Sequence, residues 1–104
     1  MANAWAGEVE VTLDGEVRVA KLTLGALAEL EAALGAETLV DLVQRFEAGR
    51  VSSRDVLALV VAGLRGGGWR GTAADLLSAE IGGGAVAAAR IAAELLARAF
   101  GRAE

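Results

Sequence analysis

Between residues 8 and 20 an apolar side chain stands at every second position. Val9, Val11 and Leu13 alternate with Glu8, Glu10 and Thr12, and after Asp14-Gly15 the alternation resumes with Val17 and Val19 beside Glu16 and Arg18. A period of two marks a strand, and Asp-Gly between two such runs suits a type I′ turn. The pattern predicts a β-hairpin over 8–20. It also predicts an apolar face built from Val9, Val11 and Leu13 with Val17 and Val19, and a solvated face carrying Glu8, Glu10, Glu16 and Arg18. Two strands alone are marginally stable in water, so the apolar face needs a helix or a partner strand against it.

From Leu22 onward the period lengthens to about 3.6 and glycines punctuate the chain, the pattern of short helices. Thr23 caps a first helix over 24–34, with Leu24, Leu27, Leu30 and Leu34 on one stripe and Gly35 as its stop. Thr38, with Asp41 three places on, opens a second over 39–48, with Leu39, Leu42, Val43 and Phe46 inward and Gly49 at its end. Ser52 and Asp55 repeat the device ahead of Val56, Leu57, Leu59, Val60, Val61 and Leu64. This third helix is apolar nearly all round and so belongs at the centre. Thr72 and Asp75 cap a short fourth helix through Leu76, Leu77 and Ile81. A fifth, over 85–100, carries Arg90, Glu94 and Arg98 four residues apart on one exposed stripe. The recurrence of Thr/Ser-x-x-Asp at 38, 52 and 72 is capping chemistry at unequal spacing, not an internal repeat. The expected fold is α+β, mainly helical, and a single domain over 1–104. Its 8–20 β-hairpin packs on a cluster of four to five short helices over 23–100, with 1–4 and 101–104 frayed.

Composition narrows the chemistry further. The 104 residues include no His and no Cys, which removes Ser–His and Cys–His nucleophile pairs, the usual zinc sites, haem and iron–sulfur ligation through those residues, and disulfides. Carboxylates, three Ser and the single Lys21 remain, with no Tyr to complete a proton relay, so neither an enzyme nor a cofactor is expected. Glu8, Glu10 and Glu16 alternate along strands with no loop to gather six oxygens, and no metal site is expected either. Net charge is −4, and the nine Arg are spread from Arg18 to Arg102 with acids between them, which builds no basic face for nucleic acid. The longest apolar run, Val56 to Leu64, is nine residues, too short for a bilayer, and the start lacks the basic segment of a signal peptide. A cytosolic protein is expected. Because 24 residues are Ala, which bury little area each, its stability should be modest and helped by partners.

Candidate contact residues come from what the core does not claim. Trp69, between Gly66-Gly67-Gly68 and Arg70-Gly71, either plugs one end of the core or anchors a partner beside Arg70, because Trp and Arg are enriched at binding hot spots. Gly66–Gly68 lacks the Gly-Lys-Ser/Thr ending of a phosphate-binding loop and reads as a flexible connection, and Gly82–Gly84 reads as a linker that lets the last helix swing. Trp5 is expected across the apolar face of the hairpin. Ala85, Ala88, Ala89, Ala92, Ala93 and Ala99 put small residues on several sides of the last helix, with Phe100 near its end. They serve either close packing against the third helix or an interface with a second copy or a partner helix.

An Asp14-Gly15 hairpin leads into Leu24-Gly-Ala-Leu-Ala-Glu-Leu-Glu, then into the Arg54-Asp55-Val56 helix start, and then through Gly66-Gly67-Gly68-Trp69 into Thr72-Ala-Ala-Asp75-Leu. This order resembles the small tail proteins of alphaproteobacterial gene transfer agents and related siphophage-like prophages, over about residues 5–100. That family is encoded between the major tail protein and the tape measure protein and is grouped with phage tail assembly chaperones. The resemblance implies a non-enzymatic role in the bacterial cytoplasm during particle assembly: binding the long helical tape measure protein, keeping it soluble and recruiting tail-tube subunits. The alternative is a structural tail-tube or minor tail subunit, and a homo-oligomer is a further expectation. The partner-binding residues expected on this reading are Trp69, Arg70, Ala88, Ala92, Ala93 and Phe100, followed by the open hairpin edge. Neither nucleic acid nor a membrane is an expected partner.

Overall fold

Asp14 has φ 52° and Gly15 φ 82°, the pair of positive values that a type I′ turn requires. In the computed structural model this turn joins β1 (Glu8–Leu13) antiparallel to β2 (Glu16–Lys21). The structure describes residues 3, 6–34 and 39–99. Trp5, the Gly35 stop, the Thr38 cap, Phe100 and residues 101–104 lie outside the described residues, as do the side chains of Leu34, Leu39 and Leu42. Of residues 1–4, which are expected to fray, Asn3 is described and residues 1, 2 and 4 lie outside the described residues. The Asn3 carbonyl accepts the N–H groups of Ala6 and Glu8 at 3.0 Å, and its own N–H reaches the Glu8 carboxylate at 2.7 Å.

The two-residue turn fixes a register that corrects the expected faces of the hairpin. Leu13 pairs with Glu16, Val11 with Arg18 and Val9 with Ala20, and residues paired across two strands point to the same side. Glu16 and Arg18 therefore share the face of Val9, Val11 and Leu13, while Val17 and Val19 stand on the other face with Glu10 and Thr12. Ala20 is fully buried and Val17 is 65% exposed. Arg18 is accommodated by running outward, where its Nη2 meets Glu16 Oε1 at 3.2 Å, although its Nε is left buried without a partner.

Five helices follow: α1 (Leu24–Leu34), α2 (Leu39–Glu47), α3 (Ser53–Gly66), α4 (Ala73–Leu77) and α5 (Gly84–Ala99). Thr23 Oγ1 accepts the Ala26 N–H at 3.1 Å and starts α1 as its sequence indicated. The inward stripe of α1 is shifted from the expected one. It runs through Ala26, Leu27 and Leu30, leaving Leu24 84% exposed. α3 begins with a complete capping box, in which Ser52 Oγ accepts the Asp55 N–H and Asp55 accepts the Ser52 N–H, both at 3.1 Å. Its Leu59, Val60, Ala62 and Leu64 are buried, and α3 packs against α1, α4, α5 and β2, the central place its sequence predicts. α2 leans on this core with Val43 and Phe46, and its Arg45 reaches the buried Asp55 carboxylate at 3.4 Å.

Both edges of the hairpin are covered. At β2, Gly66 and Gly67 lay their backbone against the carbonyls of Lys21 and Val19, so closely that a Cβ on either would collide with the oxygen. These glycines are a packing requirement, which corrects their reading as a flexible connection. At β1, residues 80–82 act as a rudimentary third strand: Asp14 N–H donates to the Glu80 carbonyl at 2.8 Å, Leu13 bridges Ile81, and Gly82 N–H donates to the Thr12 carbonyl at 2.9 Å. The Asp14 carboxylate accepts the Glu80 N–H at 2.8 Å, so the turn residue also fastens this strand. Far from letting α5 swing, the segment ahead of it is tied to the hairpin.

Candidate functional site

An apolar opening lies over the first two turns of α3, between α4 and the start of α5. It is a groove of about 520 Å³ walled by Val56, Leu57, Val60, Leu76, Leu77, Ile81, Ala85 and Ala88, with Ser53 and Arg54 at one end. Capping fixes each wall. The Ser52–Asp55 box sets where α3 begins, and a second box, in which Thr72 Oγ1 accepts the Asp75 N–H at 3.3 Å and Asp75 accepts the Thr72 N–H at 2.9 Å, sets α4. With five residues α4 has one inward position, taken by the buried Leu76, and Leu77 is left 74% exposed on the groove wall. Val86, at the start of α5, is 83% exposed. The recess is thus lined mainly by aliphatic side chains, with large ones held at its rim.

The expected contact residues divide. Ala88 is buried and lines the groove. Ala92 has no exposed surface and belongs to the core, so its expected role at an interface is corrected: the small side chain serves close packing inside the domain. Ala93 is exposed and Phe100 lies outside the described residues. Leu57, Leu76, Leu77 and Ile81 were not singled out from sequence. The adjacent Leu76-Leu77 pair was the available signal, because one turn of helix cannot bury both.

The family described as phage tail tube protein, GTA-gp10, matches residues 6–102. The chain belongs to this family. No curated protein and no solved structure matches it.

In this tail tube family member the match takes in both strands and all five helices described here. Trp69 of the tail protein is half-buried and packs against the core, with its ring folded over Gly71. Arg65 braces that loop, donating to the Gly71 carbonyl and pairing with Glu29, each at 3.1 Å. Trp69 and the exposed Arg70 border a smaller hollow of about 410 Å³ beside the start of α1, lined also by Thr23, Ala26, Glu29 and Arg65. The packing of the half-buried ring against the core agrees with the plug reading of Trp69.

The α5 stripe of the tail protein is not simply solvated, as expected, but faces the β1 edge. Arg90 pairs with Glu94 at 3.1 Å, and Arg98 turns away from Glu94 to donate to the Glu8 carbonyl at 2.6 Å. With the Thr12 carbonyl accepting from Gly82, two of the outward carbonyls of β1 are occupied. The open hairpin edge expected as a third contact surface is therefore largely closed. Among the described residues no group of three or more His, Cys, Asp or Glu could hold a metal ion, and no helix is long and apolar enough to cross a membrane.

Proposed function

We propose that this tail protein is a tail assembly chaperone, non-enzymatic and cytoplasmic, that holds apolar helical stripes of the tape measure protein in the α3–α4–α5 groove until tail-tube subunits displace it. One observation carries the reading: Leu77 stands 74% exposed on the wall of an apolar groove, in a protein whose hairpin edges are largely covered. Recognition by helix-in-groove docking uses such a recess, whereas strand addition needs a free edge. A long helical chain awaiting its tube exposes apolar stripes that would otherwise self-associate, so a small protein that covers them in several copies keeps it soluble.

The family description favours a second reading, a structural subunit of the tail tube that stays in the particle. Co-expression with the tape measure protein, followed by pull-down, light scattering and analysis of purified particles, separates the two. The chaperone reading expects a soluble complex with several copies per tape measure chain, precipitation of the tape measure alone, and absence of the protein from finished particles. Stoichiometric presence in particles, with a tape measure that is soluble by itself, supports the subunit instead.

A further inference from the structure

We infer that Arg54 reads a carboxylate on the flank of the helix that lies in the α3–α4–α5 groove, an inference that rests on the groove-binding reading above. Most described cations are already engaged. Arg18 is paired with Glu16, Arg45 with Asp55, Arg65 with Glu29 and Arg90 with Glu94, and Arg98 is held by the Glu8 carbonyl. Lys21, Arg50, Arg54 and Arg70 have no carboxylate partner among the described residues, and of these Arg54 alone stands on the groove.

Its position does little for the fold. Arg54 is the second residue of α3, where the free amides of the helix N-terminus already supply positive charge and a carboxylate, not a guanidinium, is stabilising. It borders a second apolar hollow of about 250 Å³ between α1 and α3, and Leu57, one turn on, borders both. Arg54 and Leu57 thus form a ridge that joins a cation to two apolar recesses. Among the described residues no other charged side chain lines the larger groove, so a helix docked by its apolar stripe meets a single charge there. The partner that fits is an amphipathic helix with Asp or Glu directly beside the stripe. The planar guanidinium pairs with such a carboxylate through two parallel hydrogen bonds, fixing the position of the helix along the groove, and repels a lysine at the same place.

Three labelled helical peptides test this by fluorescence anisotropy, sharing one leucine stripe and differing only in the flanking residue: Glu, Gln or Lys. The wild-type protein is expected to bind the Glu peptide about fivefold more tightly than the Lys peptide at low salt, with the gap closing as salt rises. Arg54→Glu should reverse the order and Arg54→Gln abolish it, both with unchanged circular dichroism. Leu77→Asp should weaken all three peptides, the Glu peptide most, because the new carboxylate repels it. Equal binding of the three to the wild-type protein, still sensitive to Leu77→Asp, overturns the role of Arg54 and leaves the groove reading standing. A preference for Glu that survives Arg54→Gln overturns it as well. Failure of all three to bind overturns both.

Discussion

The two ends of α3 lie in opposite surroundings. Toward its C-terminus the helix is enclosed: Gly63 sits against Leu95 of α5 and Ala20 of β2, and Gly66 and Gly67 rest on the backbone of β2. Toward its N-terminus Val56 and Leu57 are half-buried under a five-residue helix that leaves a groove on either side. The apolar run of α3, Val56 to Leu64, reaches into both halves of the helix, so hydrophobicity does not make the difference; the size and length of the neighbours do. Glycine and alanine let backbones meet closely at one end, and a helix too short to cover its neighbour leaves the other end open. Stability should reside in the closed end and recognition in the open one.

The sharpest break of this contrast is a charge placed inside the closed end. Ala92 of α5 has no exposed surface, and an arginine there must either drag an unpaired guanidinium into the core or force α5 away. A penalty of several kcal/mol is comparable to the whole stability of a small domain, about 5–15 kcal/mol, so Ala92→Arg is expected to lose the helical circular dichroism signal of the folded protein. Ala93→Arg, one residue on and exposed, should keep it. If both variants fold alike, α5 is not docked as described and the closed end is not closed.

Gly67→Ala is the next largest effect. The added methyl would collide with the Val19 carbonyl, a backbone group that cannot rotate aside, so the end of α3 must lift from β2. Overpacking of this kind costs about 3 kcal/mol, offset slightly by the reduced freedom of the unfolded chain. For a domain of this size that corresponds to a Tm lower by roughly 15 °C, read by thermal denaturation. A Tm within a few degrees of wild type would mean that the close approach of α3 to the β2 edge does not contribute to stability.

How much of this was legible in the sequence depends on whether a feature is local. The type I′ turn, the capping boxes at Ser52 and Thr72 and the central place of α3 were all readable, because each follows from a few adjacent residues. The face of β2 was misassigned although the information was present: a two-residue turn pairs 13 with 16, and the parity of that pairing places Ala20 inward and Val17 outward whatever their polarity. The roles of Gly66 and Gly67, and the third strand at 80–82, depend on residues distant along the chain, and a glycine run looks the same whether it is loose or wedged. The groove was missed for a similar reason. Its walls come from three helices, and the residue that marks it, Leu77, is one of two adjacent leucines that periodicity alone does not sort.

Leu77→Asp has the smallest expected effect on the fold and tests the open end directly. Because the side chain is 74% exposed, replacing it removes little buried area, and the stability change should stay within about 0.5 kcal/mol of wild type. Binding should respond very differently. A carboxylate on the groove wall would have to be desolvated against the apolar stripe of the docked helix, so capture of the tape measure protein in the co-expression pull-down should be lost. The dissociation of the two readouts is the decisive feature, since a core residue loses binding and stability together. A variant that is as stable as wild type and still captures the tape measure protein would place recognition elsewhere, with the Trp69-Arg70 hollow the next surface to probe.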